Sequence, residues 1–215
     1  LSEDNFENDQ FRFGFAKFIT IDGVKIWTQR LSYVGELGYE LYVDLKDAKK
    51  IYELLIEKGK DFNLSNCGMH AMDIMRMESG FLHWGHDISP EENQYQAGLA
   101  FTISNKKDVD FIGKQALEKI KQDKVKTRFS MFTLKESEPG KPLLLHDEPI
   151  YDGEKIIGRS TSGNYSFNFK KNLVFGYINN DFSNEELQNK NLFIEVEKKK
   201  YPIEIINKPL KQTNF

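Results

Sequence analysis

Residues 156–178 have the sequence IIGRSTSGNYSFNFKKNLVFGYI, in which two apolar runs flank a polar segment rich in serine, glycine and asparagine. Short apolar runs separated by turn-forming residues are typical of antiparallel strands. The pattern continues on both sides, with further apolar runs at 129–134, 192–196 and 203–206. It predicts an antiparallel β-barrel or sandwich of about six or seven strands, which we assign to residues 125–215.

Two polar segments in this half are predicted to be connections between strands. Ser162–Asn164 is expected to form a tight turn within Gly158–Asn172, a Ser/Thr/Gly/Asn cluster of the kind that can also cradle a phosphate. The cluster lacks Walker spacing and a following helical pattern, which favours the structural interpretation. Lys198–Lys200 lies between two apolar runs and is predicted to be a solvated hairpin tip.

Residues 1–124 mix strand and helix patterns. Alternating apolar residues predict strands at 11–21, 24–33, 39–43 and 98–104, the first two joined by a turn at Asp22-Gly23. Apolar residues at helical spacing predict helices at 47–58, 66–79 and 110–122. Asp47 and Gly59 are the expected ends of the first helix, and Gly80 ends the second. A basic, polar stretch at 121–128 marks the expected domain boundary. A mixed helix and strand region followed by an all-β region predicts the α+β fold class.

Composition and charge argue against several classes of protein. The chain has 30 basic and 33 acidic residues, a net charge of −3, which does not favour nucleic-acid binding. No apolar stretch approaches the roughly 18 residues of a membrane span, and no signal-peptide pattern begins the chain. The single cysteine, Cys67, cannot form an internal disulfide. A cytoplasmic location is therefore expected.

Residues 32–41, SYVGELGYEL, form a candidate ligand-binding segment. A glycine-rich bend lets a flat ligand approach the backbone, and Tyr33 and Tyr39 offer stacking faces. A carboxylate such as Glu40 can bind a pair of N–H groups, as on the edge of a pterin or a guanine. The alternative is an ordinary loop in which Glu36 and Glu40 are simply exposed.

Two histidines and an aspartate follow the second predicted helix, within five residues of one another. No further strong ligand is spaced to complete a site around His83, His86 and Asp87, so a metal site is not predicted. We expect instead a loop anchored by Trp84, with turn hydrogen bonds made by Asp87 and Ser89.

Taken in order, these segments resemble the glycine-cleavage T-protein (aminomethyltransferase) superfamily over nearly the whole chain. VGELGYELYV and RMESGFLHWGHDI are similar to the C-terminal folate region of dimethylglycine and sarcosine dehydrogenases. The resemblance implies a partial folate-binding α/β region over 1–124, followed by a C-terminal antiparallel β-barrel over 125–215. It also implies that the chain is part of an enzyme with tetrahydrofolate as its cofactor. The folate would accept a one-carbon unit from an aminomethyl or iminium group.

The resemblance also implies roles for individual residues. Glu40 closes the YxGExGxE segment and is expected to hold the pterin edge, while Tyr33 and Phe81 are expected to line the folate pocket. Candidates for supporting the pocket are Tyr39, Arg76 and Trp84.

Two departures from the family pattern bear on activity. A folate-contacting arginine of the family's A-R-D-x-L-R-L-E helix is replaced by Met72, which favours the dehydrogenase branch. The family's catalytic aspartate is expected upstream of Leu1, as is an FAD domain if the parent protein has one. We therefore expect residues 1–215 alone to bind folate weakly and to show little one-carbon transfer activity.

The function expected is the folate-binding part of a dimethylglycine/sarcosine dehydrogenase-like enzyme, which captures an iminium or formaldehyde unit as methylenetetrahydrofolate. The alternatives are a stand-alone aminomethyltransferase, a folate-dependent demethylase, or a non-catalytic folate-binding or assembly module. Expected partners are folate, a small methylamine-derived substrate, and a partner subunit or an upstream flavin domain. Neither nucleic acid nor a membrane is an expected partner.

Overall fold

A computed structural model describes residues 1–103 and 109–213. The chain divides into two compact units, one comprising chiefly Leu1–Arg76 and the other Met77–Lys211. The strands are β1 Ala16–Ile21, β2 Val24–Gln29, β3 Glu40–Tyr42, β4 Thr127–Leu134, β5 Pro149–Asp152, β6 Lys155–Ser166, β7 Lys171–Asn179, β8 Leu192–Val196 and β9 Lys199–Ile206. The α-helices are α1 Leu45–Gly59, α2 Met69–Glu78, α3 Lys114–Asp123 and α4 Asn184–Gln188. Among the described residues, none of these helices combines the length and apolarity that crossing a membrane requires.

The first unit contains a three-stranded antiparallel sheet in the order β1-β2-β3. Asp22 and Gly23 have φ values of 48° and 76°, the two positive values of a type I′ turn, so the predicted hairpin is confirmed. One face of the sheet is buried: Ile19 and Ile26 pack in a cluster with Ile51 of α1. Side chains of a strand alternate between the two faces of a sheet, so the residues between the buried ones point to the opposite face. We call this opposite, exposed face the open face.

The first two strands are shorter than the sequence predicted. Gly14 has φ +80°, which interrupts the alternation before β1 begins at Ala16. Phe11 is buried beside the Phe6 ring, at a centroid distance of 5.9 Å, and takes no part in the sheet. Apolar spacing alone could not separate this aromatic cluster from a strand.

Helix α1 confirms the predicted helix but not its ends. Asp44, not Asp47, is the N-cap, and Asp47 lies in the first turn, where a carboxylate favours the helix dipole. Gly59 remains right-handed, and the chain continues as a 3-10 turn to Asn63, whose φ of +57° ends the helix. Gly59 has another role, because a β-carbon there would clash with the side chain of Leu64.

Helix α2 runs from Met69 to Glu78 rather than over residues 66–79, and Gly80 is the stop that the sequence predicted. Gly80 has φ +74°, and its N–H donates to the Met77 carbonyl at 3.0 Å. The predicted strand over 98–104 is wrong in its described part: Gly98 has φ +73° and a 3-10 turn follows, while Ser104 lies outside the described residues. Helix α3 begins only after Gly113, not at residue 110, so Phe111 lies before the helix and is exposed.

In the described part of the second unit, six strands close into an antiparallel barrel in the order β4-β7-β6-β5-β8-β9. Its interior is a single apolar cluster whose fully buried members include Phe132, Leu134, Ile150, Val174, Ile178 and Ile194. The predicted C-terminal antiparallel barrel is therefore confirmed. The predicted division of the chain at residues 124–125 stays a prediction; the first barrel strand begins at Thr127.

One turn prediction in the barrel is wrong and another is confirmed. Ser162–Asn164 lies inside β6, and Gly163 is needed there because a β-carbon would clash with the Leu144 side chain. The connection from β6 to β7 falls instead at residues 167–170. Glu197 and Lys198 have φ values of 51° and 64° in the β8–β9 turn, so the predicted hairpin tip is confirmed at Lys198, whereas Lys199 and Lys200 already lie in β9.

Candidate functional site

The open face of the β1-β2-β3 sheet carries a row of three aromatic side chains. Phe18 pairs with Trp27, and Trp27 pairs with Tyr42, so the three rings lie side by side across the strands. Their exposed fractions are 53%, 36% and 52%, which is enough surface for a ligand to contact. The Phe18 and Trp27 ring centroids are 4.9 Å apart in an edge-to-face arrangement, which is a favourable aromatic geometry.

Glu40 lies on this same open face, because it precedes Tyr42 by two residues in β3. The Tyr42 hydroxyl donates to Glu40 Oε2 at 2.5 Å. This hydrogen bond is the main cause that raises the pKa of Tyr42. The other carboxylate oxygen of Glu40 has no hydrogen-bond partner among the described residues. The face thus combines flat apolar surface with a carboxylate whose position is held by a neighbouring side chain.

The loop before β3 has the glycine-rich geometry that the sequence indicated. Ser32 Oγ accepts two backbone N–H groups of the loop, at 3.3 and 3.1 Å. Gly35 has φ +68°, and a β-carbon at Gly38 would lie 2.6 Å from the Leu31 carbonyl oxygen. The backbone conformation of the loop before Glu40 therefore requires glycine at both positions.

The other predicted residues of the first unit have distinct surroundings. Tyr33 is half-buried in the loop. The Tyr39 ring packs edge-to-face on Phe6, with centroids 5.3 Å apart, so it supports the chain next to Glu40. Arg76 is buried and its Nη2 lies 2.8 Å from Asp73 Oδ1.

In the second unit, Asp87 and not Trp84 anchors the loop after α2. Trp84 is 65% exposed, so the expectation that it anchors the loop is wrong. Asp87 is 1% exposed and accepts hydrogen bonds from the His83 N–H at 2.9 Å and from Thr161 and Ser162 hydroxyls at 2.5 and 2.8 Å. The predicted turn hydrogen bond of Asp87 is confirmed.

Glu78 is a second buried carboxylate bound by strand β6 and the turn that follows. It accepts hydrogen bonds from the Ser166 hydroxyl at 2.5 Å and from Asn168 Nδ2 at 2.9 Å. Phe81, a predicted pocket residue, is half-buried three positions further on. The polar cluster of β6 is thus explained by hydrogen bonds to two buried carboxylates, Glu78 and Asp87, because buried polar groups require partners.

Within residues 1–103 and 109–213, no three His, Cys, Asp or Glu side chains are placed to hold a metal ion. The His83 and His86 rings lie 4.5 Å apart, while the Asp87 carboxylate binds the two β6 hydroxyls. The position of Asp87 therefore suits structural support of the loop.

Two residues of the aromatic row, Phe18 and Trp27, were not identified as site residues from the sequence. A signal was present, because a two-residue turn at Asp22-Gly23 pairs residue 18 directly with residue 27. The β6 hydroxyls that bind Glu78 and Asp87 carried no comparable signal, since they lie more than seventy residues away in the chain.

Comparison with known proteins places the whole chain in one class, that of proteins with the aminomethyltransferase fold. The GCVT N-terminal domain model matches residues 1–107, and the glycine cleavage T-protein C-terminal barrel domain model matches residues 128–211. A crystal structure of the glycine cleavage system aminomethyltransferase T from Bartonella henselae superposes with a TM-score of 0.80 at 20% identity, over 97% of this chain and 55% of that chain. The chain belongs to the glycine-cleavage T-protein (aminomethyltransferase) superfamily.

Relatives within the superfamily are of two kinds. The mitochondrial dimethylglycine dehydrogenase of Homo sapiens is 33% identical over 210 residues, which is 98% of this chain and 24% of that protein. The 4-methylaminobutanoate oxidase (formaldehyde-forming) of Paenarthrobacter nicotinovorans is 38% identical over 77% of this chain and 20% of its own length. An aminomethyltransferase of Alkaliphilus metalliredigens is 32% identical over all of this chain and 56% of that protein. The chain thus spans about a quarter of such dehydrogenases and about half of this transferase.

Proposed function

We propose that this chain is the folate-binding and barrel part of a tetrahydrofolate-dependent one-carbon transfer protein of the dimethylglycine/sarcosine dehydrogenase type. The observation that carries the proposal is the Glu40 carboxylate at the end of the exposed row Phe18, Trp27 and Tyr42. In this proposal residues 1–124 form the folate-binding region and residues 125–215 the barrel domain.

The residues of the open sheet face fit a reduced folate. A pterin presents two N–H donors along one edge, and a carboxylate can accept both in a bidentate pair. Glu40 Oε1 is available for such a pair, and Oε2, which accepts the Tyr42 hydroxyl, retains a second lone pair for the other N–H. The Tyr42 hydroxyl restricts the carboxylate to one orientation. Aromatic rings favour stacked or edge contacts with a flat ligand. We assign the pterin edge to Glu40, and the roles proposed for Tyr33 and Phe81 in folate binding stay predictions.

The chemistry of the bound folate comes from its amine nitrogens, which accept the one-carbon unit. The part of this chain is to bind and to orient the folate, because holding two reactants in place removes much of the entropic barrier to their reaction. Tyr39 and Arg76 contribute through the packing and the ion pair described above, and Trp84 remains a proposed support.

We propose a methylamine-derived one-carbon donor, which the names of the relatives support. The dehydrogenase and oxidase relatives are named for N-methylated amines, and one is named as formaldehyde-forming. These names support a methylamine-derived substrate for the whole protein, with any FAD domain and partner subunit outside this chain. The cytoplasmic location stays a prediction, and five of the dehydrogenase relatives are named as mitochondrial.

Titration calorimetry with 5-formyltetrahydrofolate tests the proposal on the 215-residue chain. We expect weak, saturable binding to the wild type and an affinity at least about tenfold lower for Glu40→Gln, since a hydrogen bond to a charged group contributes about 1.5–3 kcal/mol. Glu53→Gln is the matched control, because Glu53 is an exposed acid on α1 whose nearest cation is Lys49 at 3.7 Å. Absence of saturable binding to the wild type, or equal affinities for wild type and Glu40→Gln, contradicts the proposal.

A further inference from the structure

Two adjoining cavities lie in the second unit, beside strand β6. One has a volume of about 340 Å³ and the other about 530 Å³, within the range of small-molecule sites. Glu92, Asp147 and Arg159 line both cavities, so these three charged residues stand where the cavities meet.

The charges of the shared residues do not balance. Arg159 Nη1 forms an ion pair with Asp147 Oδ1, so the guanidinium charge is already neutralised. Glu92 Oε2 accepts the Ser89 N–H at 2.9 Å and the Ser89 hydroxyl at 2.7 Å, which fixes the carboxylate. In the described part of the chain, no basic side chain pairs with Glu92, which is partly buried. Glu92 thus leaves one fixed, uncompensated negative charge in the wall of both cavities.

The larger cavity adds a second unsatisfied group and an apolar wall. Tyr177 lines it and is 91% buried, and its hydroxyl has no hydrogen-bond partner among the described residues. Burial raises the pKa of Tyr177, and the negative charges of Glu92 and Asp87 raise it further. Ile156 and Ile157 supply apolar surface to the same cavity.

A ligand that fits these features has a definite chemistry. A positive charge compensates Glu92, and the N–H groups that carry it can donate to the Glu92 carboxylate. An alkyl group occupies the apolar wall, since burying such surface is favourable by roughly 25 cal/mol per Å². An anion is repelled by Glu92, and a neutral alcohol leaves the charge of Glu92 uncompensated.

We propose that the cavity lined by Glu92, Tyr177 and Ile156 is a binding site for a small organic amine in its ammonium form. The site lies wholly within the Met77–Lys211 unit, whereas Glu40 belongs to the Leu1–Arg76 unit. The proposal therefore does not depend on folate binding at Glu40.

NMR titration of the ¹⁵N-labelled 215-residue chain with n-butylammonium tests the proposal, with n-butanol and butyrate as matched probes. We expect saturable shifts of the backbone amides of Glu92, Gly158 and Asn179 with butylammonium alone. Glu92→Gln keeps the Ser89 contacts and removes the charge, so its affinity falls about tenfold or more. Glu91→Gln, an exposed neighbour that does not line the larger cavity, changes the affinity by less than about threefold.

A second variant guards against an effect of Glu92→Gln on folding. Ile156 is 57% exposed, so Ile156→Lys is tolerated by the fold and places a cation in the cavity. We expect it to abolish butylammonium binding. The proposal is overturned if butanol or butyrate shifts the same amides as strongly, if Glu92→Gln or Ile156→Lys binds like the wild type, or if no saturable shift occurs. The result with 5-formyltetrahydrofolate is not affected by any of these outcomes.

Discussion

Replacing Asp87 with alanine removes the carboxylate that joins the loop after α2 to barrel strand β6. The carboxylate is buried and accepts hydrogen bonds from the His83 N–H and from the Thr161 and Ser162 hydroxyls. Each hydrogen bond to a charged group contributes about 1.5–3 kcal/mol, and part of this is recovered when the hydroxyls turn to other acceptors. We expect Asp87→Ala to lower the free energy of unfolding by about 3–5 kcal/mol.

Two milder variants separate the charge from the hydrogen bonds. Asp87→Asn retains an oxygen for the two hydroxyls but places an amide N–H₂ against the His83 N–H, so we expect a loss of about 1–3 kcal/mol. Thr161→Val removes one donor at nearly constant shape, and we expect a loss of about 1 kcal/mol.

Urea unfolding followed by Trp84 fluorescence measures these losses. Trp27→Phe is the common background, so that Trp84, which lies in the second unit, is the single tryptophan. A loss below about 1 kcal/mol for Asp87→Ala, or a larger loss for Asp87→Asn than for Asp87→Ala, refutes the reasoning.

Three further predictions concern stability. Gly80→Ala is expected to lower the free energy of unfolding by about 1–3 kcal/mol, because Gly80 has φ +74° and a β-carbon would lie 2.5 Å from Pro209 Cγ. Urea unfolding measures this loss. Gly68→Ala is the control, since a β-carbon at Gly68 has no neighbour within 4 Å. Ser183→Ala removes the capping box of α4 and is expected to cost about 1 kcal/mol in the same assay. The partners of Asp147 lower its pKa, so the stability that it contributes is present at neutral pH and is lost as the pH falls below about 4; the difference in urea midpoint between wild type and Asp147→Asn is expected to shrink over that range.

Each of these predictions has a contradicting outcome. A Gly80→Ala variant as stable as Gly68→Ala means that the Pro209 contact does not constrain the turn. An unchanged midpoint for Ser183→Ala refutes the capping assignment. A midpoint difference for Asp147→Asn that stays constant, or grows, on acidification refutes the ionic contribution of Asp147.

Local patterns predicted those parts of the fold that depend on neighbouring residues. The Asp22-Gly23 hairpin, the Gly80 helix end and the alternation in the barrel strands each follow from backbone preferences of nearby residues. The end of α1 was missed because Gly59 stays right-handed and Asn63, four residues beyond it, takes the left-handed conformation instead. Ser162–Asn164 was mistaken for a turn because Gly163 serves a contact with Leu144 across the barrel, and that contact has no local signature.

The candidate site was only partly predictable for the same reason. The motif around Glu40 is contiguous in sequence and could be recognised, whereas Phe18 and Trp27 join it through strand pairing. Tyr42 follows Glu40 by two residues, but its hydrogen bond to the carboxylate appears only when β3 is extended. The hydrogen bond from Ser166 to Glu78 joins distant parts of the chain and forms only when the barrel closes.

The most direct test of the folate assignment is the response of Trp27 itself. In ¹H-¹⁵N spectra of the 215-residue chain, we expect titration with 5-formyltetrahydrofolate to shift the Trp27 indole N–H saturably. Glu40→Gln is expected to lose most of that shift, because the ring and the carboxylate share one face of the sheet. An indole signal that does not move, or that moves equally in wild type and Glu40→Gln, contradicts folate binding on this face.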